Sequence, residues 1–237
     1  AQSSGGTAEN LEMMKKNEAE MAIAMANLTG YAYTGTVRYE GKKIENLRYV
    51  MGLWPDVTQF VVRAESGVKT WKDLKGKKIA VGPAASGTEF SSRVLLKALA
   101  GFSFEDIVPE RVGYTEASQS LQNGQIDGFN AEAGIPTVAV AELFASRSKV
   151  LVLEFSDEDM LKLKKDAPFY YRVLIPAKTY PKQDKELKVA GIKSALLVDK
   201  SVPDEAVYEM LKVIYAERPQ MIKEHAAFTK IDYDKPM

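Results

Sequence analysis

The chain of 237 residues contains no cysteine and one histidine, His225. Without thiols there is no disulfide and no thiolate metal site, a pattern that fits an oxidising compartment. A single imidazole rules out the His-Glu-x-x-His zinc motif. His225 lies in a late helical stretch and is expected at the surface or at a helix end. Net charge is also missing, because 32 Lys and Arg balance 32 Asp and Glu. No global field therefore favours nucleic acid or an anionic membrane, and an anion site has to be built locally. The longest apolar runs, such as Met21 to Ala26, are too short to span a bilayer. No signal segment is visible. The opening Ala1-Gln2-Ser3-Ser4-Gly5-Gly6 reads as a strand end entering a loop, so preceding residues are expected in the parent protein. Hydrophobic residues at 46% and charged residues at 27% are ordinary globular usage. The length suits one large domain or two small ones.

Helical and extended patterns alternate. Thr7 to Lys16 predicts a helix with Leu11 and Met14 inward, stopped by Asn17, which tolerates the left-handed conformation. Met21 to Met25 predicts a short buried strand, and Leu47 to Leu53 a second apolar segment ending in a Trp54-Pro55-Asp56 turn. Gln59 to Arg63 has the β-branched content of a strand. Thr70-Trp71-Lys72-Asp73 is a capping box opening a one-turn helix that Gly76 ends. Strands are then expected at Ile79 to Val81, Val112 to Tyr114 and Ile126 to Phe129, with helices between them. This β-α-β-α-β order predicts a parallel sheet with right-handed crossovers. Near the end, Ala195 to Val198 predicts a strand. Ser201 to Asp204 starts a helix whose stripe is Val207, Met210, Leu211, Ile214 and Tyr215. Met14 to Glu20 and Leu121 to Asp127 echo one another as helix end, left-handed stop and strand, which suggests two similar lobes.

Binding chemistry concentrates in Val81-Gly82-Pro83-Ala84-Ala85-Ser86-Gly87-Thr88-Glu89. A strand ends, small residues follow, and a helix starts at Ser86 or Thr88. Unpaired helical N–H groups and the positive end of the helix dipole make such a loop an anion seat without Lys or Arg. Alternatively, Ser86 or Thr88 only caps the helix. The loop lacks the Gly-Lys-Ser/Thr ending of a P-loop and the three-glycine spacing of a dinucleotide fingerprint. Ser3-Ser4-Gly5-Gly6-Thr7 is a second small-residue loop before a helix. In open α/β sheets ligands bind at the carboxyl ends of strands, where both loops fall. Ser156-Asp157-Glu158-Asp159 either binds a cation or caps a helix over Met160 to Lys165. Tyr170 and Tyr171 either line a pocket or are half-buried strand aromatics. Glu89 and Glu132 are the acids nearest the loop for any enzymatic reading, and Glu89 is accounted for by first-turn helix chemistry.

These landmarks run in order along nearly the whole chain. They are Ser4-Gly5-Gly6-Thr7-Ala8-Glu9-Asn10-Leu11, Tyr31-Ala32-Tyr33-Thr34-Gly35, Asp73-Leu74-Lys75-Gly76-Lys77-Lys78, Ser86-Gly87-Thr88-Glu89, Gly124-Gln125-Ile126-Asp127, Gly134-Ile135-Pro136, Ile175-Pro176-Ala177-Lys178-Thr179-Tyr180 and Val207-Tyr208-Glu209. In this spacing the chain resembles the TAXI solute-binding proteins of tripartite ATP-independent periplasmic (TRAP) transporters. The resemblance implies an α/β, two-lobed type II periplasmic-binding-protein-like fold with the ligand cleft between the lobes. Residues 1–57 and 190–237 would form lobe 1 and residues 58–189 lobe 2. It implies periplasmic or other extracytoplasmic capture of a small carboxylate, glutamate- or glutamine-like or a dicarboxylate or 2-oxo acid. The partners implied are the membrane permease subunits, with no nucleic acid, no cofactor, no metal and no catalysis. The ligand contacts implied are Gly5, Gly6, Asn27, Trp54, Ser86, Gly87, Thr88, Gly134 and Tyr171. The chain departs from the family at Ala85, usually Gly, at Met25, often Gln, and at Asn27, often Asp. The family's first strand and its Gly-rich, Tyr-containing loop are not seen before Ala1, and the tail after Lys235 stops early. The alternatives on this fold are an enzyme, such as a deaminase or lyase, and the ligand-sensing domain of a regulator or receptor.

Overall fold

Apolar spacing and stop residues divide the chain into regular elements. In order they are α1 (Thr7–Lys15), β1 (Met21–Met25), α2 (Ala26–Thr34), β2 (Leu47–Arg63), β3 (Lys78–Ala80), α3 (Gly87–Leu95), β4 (Val108–Glu110), α4 (Tyr114–Gln122), β5 (Gly128–Ala133) and α5 (Val138–Ala145). They continue as β6 (Val150–Val152), α6 (Asp157–Asp166), β7 (Tyr171–Ile175), β8 (Leu187–Asp199), α7 (Asp204–Ala216) and α8 (Arg218–Glu224). The structure is a computed structural model and describes residues 2, 4–224 and 226–234. His225, Ser3 and the last three residues, on which expectations fell, lie outside the described residues. The chain divides into two compact units, one of Ala1–Pro55 with Ile192–Met237, the other of Asp56–Gly191. The backbone passes from one to the other within β2 and again within β8.

In the first unit β8 lies between β1 and β2, and β1 pairs with it antiparallel from Met21↔Val198 to Met25↔Ser194. Met21 and Ile23 are 39% and 44% exposed, so β1 is a half-exposed edge strand and not a buried one. Leu11, Met14, Leu28 and Ile44 are fully buried apolar residues of the unit. Met51, Leu53, Ile231 and Tyr233 form an apolar cluster, covered by Leu211, Ile214 and Phe228. Helix α7 contains no fully buried residue, and Tyr215 is 42% exposed. The expected core stripe is therefore a partly covered face.

The second unit orders its strands β2-β5-β3-β4, with β6 on β2 and β7 on β8. Strand β3 runs parallel to both β4 and β5, as the β-α-β-α-β pattern predicts. Two boundaries moved. The strand expected at Val112 to Tyr114 is instead Val108–Glu110, because an edge strand accepts Pro109, whose missing N–H faces no neighbour. The strand expected at Ile126 to Phe129 begins at Gly128 and runs on to Ala133, which places Glu132 inside a strand. Likewise the Trp54-Pro55-Asp56 turn is absent, since β2 stays extended through Pro55 where the chain leaves the first unit.

The echoed segments end on the same hydrogen bonds. Asn17 and Gly124 both have positive φ, 58° and 71°. Glu18 N–H reaches Met13 C=O at 2.8 Å, and Gln125 N–H reaches Ser120 C=O at 2.8 Å. This is the Schellman closure, which the left-handed residue makes possible.

Candidate functional site

Helix α3 starts where the small-residue loop predicts, with Ser86 as its cap. Ser86 Oγ accepts the Glu89 N–H at 3.1 Å, so the capping reading holds for this hydroxyl. The N–H groups of Gly87 and Thr88 open the helix and have no partner within it. Glu89 reaches back so that its Oε2 accepts the Ala85 N–H at 2.8 Å, while Oε1 pairs with Arg93 at 3.1 Å and Arg111 at 2.9 Å. Burial pushes the Glu89 carboxyl up, but the Arg111 and Arg93 guanidinium groups and the Ala85 N–H outweigh it and hold it below its ordinary value. Glu89 is thus a structural carboxylate of the loop. The first unit repeats the device. Gly6 precedes α1, and Glu9 accepts the Gly5 N–H, one residue further out than the cap.

The loop imposes backbone demands. Gly82 has φ +98°, and a Cβ there would stand 2.7 Å from Thr88 Cβ and 3.0 Å from Glu89 N. Gly82→Ala is expected to cost about 2–4 kcal/mol, combining backbone strain with overpacking. Urea unfolding measures it, and an unchanged midpoint would show that the loop is not held against Thr88. Ala85, where the resemblance expects glycine, has φ 60°. An L-residue there is strained by about 1–2 kcal/mol, partly offset by the lower chain entropy of alanine. Ala85→Gly should stabilise by about 0.5–1 kcal/mol, read as a rise in Tm; a fall would remove the strain argument.

From α3 a chain of hydroxyls leads to a buried carboxyl. Thr88 Oγ1 lies 2.6 Å from Tyr114 OH. Tyr114 OH donates to the Glu132 C=O at 2.9 Å and accepts the Glu132 N–H at 3.2 Å, so the Thr88 hydroxyl is the donor to Tyr114. The Glu132 side chain is 5% exposed. Its Oε1 accepts from Thr58 Oγ1 at 2.8 Å and Tyr170 OH at 3.3 Å. Ser91 Oγ faces the carboxyl without making a hydrogen bond of good geometry, and Ser91 Oγ and Glu132 Oε2 both lack partners among the described residues. Burial pushes the carboxyl up to about 7, with Asp56 adding to the rise and the Ser91, Thr58 and Tyr170 hydroxyls opposing it. Burial likewise raises the phenols of Tyr114 and Tyr171 to about 12, and the Asp56 charge contributes to both.

Of the expected contacts in the second unit, Ser86, Gly87 and Thr88 sit together at α3, and the network joins Thr88 through Tyr114 to Glu132 and Tyr170 but does not include Gly134 or Tyr171. Gly134 follows Glu132 by two residues, and its C=O accepts from Thr137 Oγ1 at 2.8 Å. Tyr171 is half-buried and follows Tyr170, which is fully buried and bound to Glu132; the two tyrosines take different roles. In the first unit Gly5 and Gly6 precede α1, and Thr7 Oγ1 accepts the Met25 N–H at 3.1 Å. Asn27 is buried in α2 with Oδ1 on Leu28 N–H at 2.7 Å and Nδ2 without a partner among the described residues. Trp54 packs edge-on against Phe228, ring centroids 5.5 Å apart, within the apolar cluster of Met51 and Leu53. Ser156 and Asp159 form a capping box on α6, which settles that acidic run as a cap. Tyr114, Thr58, Ser91 and Asp56 were not singled out from sequence. Their only signal is position, next to β5 and α3 once Glu132 lies within a strand.

A family model matches residues 1–237, described as the NMT1-like family. The chain belongs to the NMT1-like family. Solved structures share the fold of this NMT1-like chain. The periplasmic aliphatic sulphonate binding protein SsuA of Escherichia coli is 19% identical, with TM-score 0.50, over 96% of this chain and 66% of that one. The alkanesulfonate-binding protein SsuA of Xanthomonas axonopodis pv. citri, bound to MOPS, is 16% identical, with TM-score 0.51 over 96% and 66%. A mutant of ArgBP from T. maritima is 11% identical, with TM-score 0.50 over 94% and 73%. The NMT1-like chain thus spans 66% of the length of the two SsuA proteins. Its fold is that of periplasmic binding proteins, with helices flanking a mixed sheet. No helix among the described residues is long and apolar enough to cross a membrane.

Proposed function

We propose that this NMT1-like protein is an extracytoplasmic solute-binding protein of the TAXI type, delivering a small carboxylate to the permease of a TRAP transporter. The solute class is glutamate- or glutamine-like, or a dicarboxylate or 2-oxo acid. One observation carries the reading: the loop that ends at α3 offers the Gly87 and Thr88 N–H groups and the Ser86 hydroxyl at a helix N-terminus, with the Thr88 hydroxyl joining them once it turns from Tyr114. The solute carboxylate is assigned to these groups, with Gly134 and Tyr171 as further contacts on the same unit. Gly5, Gly6, Asn27 and Trp54 are the contacts proposed on the other unit. The two compact units are read as the two lobes. The family's fold relatives named above are binding proteins, which supports capture in place of turnover.

Glu132 favours a second reading, an enzyme on the same fold, because a carboxyl that titrates near neutrality suits acid–base chemistry. Its 5% exposure and its position behind Thr58 and Tyr170 favour an internal role instead. Equilibrium dialysis with labelled L-glutamate, followed by chromatography of the recovered label, tests the reading. Saturable retention of unchanged glutamate is expected, and product in excess of protein would overturn it.

A further inference from the structure

Glu132 is a carboxyl buried without a cation. From β2 it is faced by Asp56 and Thr58, from α3 by Ser91, from α4 by Tyr114, and ahead of β7 by Tyr170. Arg93 on α3 and Arg111 just after β4 are spent elsewhere, since Glu89 holds both. Among the described residues no lysine or arginine forms an ion pair with Glu132. An ionised carboxylate in this position keeps its charge in low dielectric beside Asp56, supported only by neutral hydroxyls. A proton relieves that. Placed on Oε2, it also gives the partnerless Ser91 Oγ a donor.

The same residue is clasped to the α3 loop by its backbone. Its N–H and C=O both engage Tyr114 OH, and Tyr114 OH holds Thr88 Oγ1 at 2.6 Å. Thr88 therefore spends its hydroxyl proton on Tyr114 while that clasp is closed. The carboxyl itself bonds Thr58 and Tyr170, but its charge lies close enough to Tyr114 to raise that phenol, so a charge gained or lost at Glu132 bears electrostatically on the tyrosine that holds the first turn of α3.

We propose that Glu132 is a proton-binding site wired to the α3 loop, so that its proton occupancy sets the hydrogen bonding of Thr88 and the loop's readiness for an anion. In the proton step, solvent supplies H+ to the Glu132 carboxylate, which becomes the neutral acid; no other bond changes. Reciprocity follows: an anionic solute seated at Ser86 to Thr88 raises the proton affinity of Glu132, and a fraction of a proton is taken up with the solute at pH values near the midpoint. That last clause rests on the carboxylate reading of the preceding section, whereas the wiring does not.

The position of Glu132, buried, close to Asp56 and without a counter-ion among the described residues, places its titration near neutral pH. Carbon-13 carboxyl and amide NMR between about pH 4.5 and 8.5 tests the wiring on the ligand-free protein. The Glu132 carboxyl and the Gly87 and Thr88 amides should share one midpoint near neutrality, and Glu132→Gln should abolish the amide steps. Thr58→Val removes a donor from the carboxylate and should move the carboxyl and amide midpoints upward together, which keeps the test available if Glu132→Gln folds poorly. A Glu132 midpoint in the ordinary carboxylate range, or amides that ignore it, would overturn the proposal. Saturating L-glutamate should raise the midpoint by about one pH unit, a tenfold coupling. Bound glutamate with an unmoved midpoint would overturn the coupling. Shared titration in a protein that L-glutamate does not perturb would uphold the wired proton site and count against the carboxylate reading, so the two failures are told apart.

Discussion

Glu132→Gln is expected to be more stable than the wild type at pH 8, by about 3 kcal/mol, and equally stable near pH 4. The folded carboxyl titrates at about 7 against an ordinary 4.5. The unfolded chain thus loses its proton first as pH rises, while the folded protein still holds one. Stability from this group is complete below the unfolded value, falls as pH rises towards 7, and is lost above it. The amide has nearly the same volume, keeps an acceptor oxygen for Thr58 and Tyr170, and never ionises. Chemical unfolding at several pH values gives the comparison. A wild type whose stability does not fall between pH 5 and 7 relative to the variant would mean that Glu132 is ionised and satisfied in the fold.

Thr88→Ala is expected to weaken solute binding tenfold or more. Charged hydrogen bonds contribute about 1.5–3 kcal/mol each, and the helix terminus about 0.3–1 kcal/mol. The substitution removes a hydroxyl from the seat and releases Tyr114, which keeps its bonds to the Glu132 backbone. The stability cost should be only about 1 kcal/mol. Ser86→Ala separates the roles, because Ser86 holds the Glu89 N–H as a cap. It should cost about 0.5–2 kcal/mol of stability. Calorimetric titration beside unfolding midpoints distinguishes the outcomes. Unchanged affinity in both variants would retire the anion seat and leave Ser86 as a cap and Thr88 as a partner of Tyr114.

Much of this architecture was legible because local chemistry enforces it. Asn17 and Gly124 sit at left-handed stops, Thr70 and Ser156 open helices, and Ser86 begins α3, each through bonds that span at most five residues. What escaped depends on distant partners. The extension of β2 through Pro55 and the shift of β4 to Val108–Glu110 follow from sheet position, which local propensity does not encode. Periodicity assigned α7 a core stripe, and Leu211 and Ile214 of that stripe do pack on the apolar cluster, but only partly buried, while Tyr215 is 42% exposed. At the site, the loop was readable as small residues before a helix. The Thr88–Tyr114–Glu132 connection was not, because it joins residues 26 and 18 positions apart on three elements. Glu132 stood out only as a leftover acid until β5 was seen to carry it inward.

The most direct test of the central claim is a thermal-shift screen of amino acids, dicarboxylates, 2-oxo acids and, as a contrasting set, sulfonates. A ligand at a hundred times its Kd adds about 2.7 kcal/mol, or roughly 5–10 °C for a chain of this size. A shift of that order with one carboxylate class, absent with the sulfonates, is the expected result. No shift with any carboxylate, or a shift with sulfonates alone, would contradict the assignment of a carboxylate solute to the α3 loop.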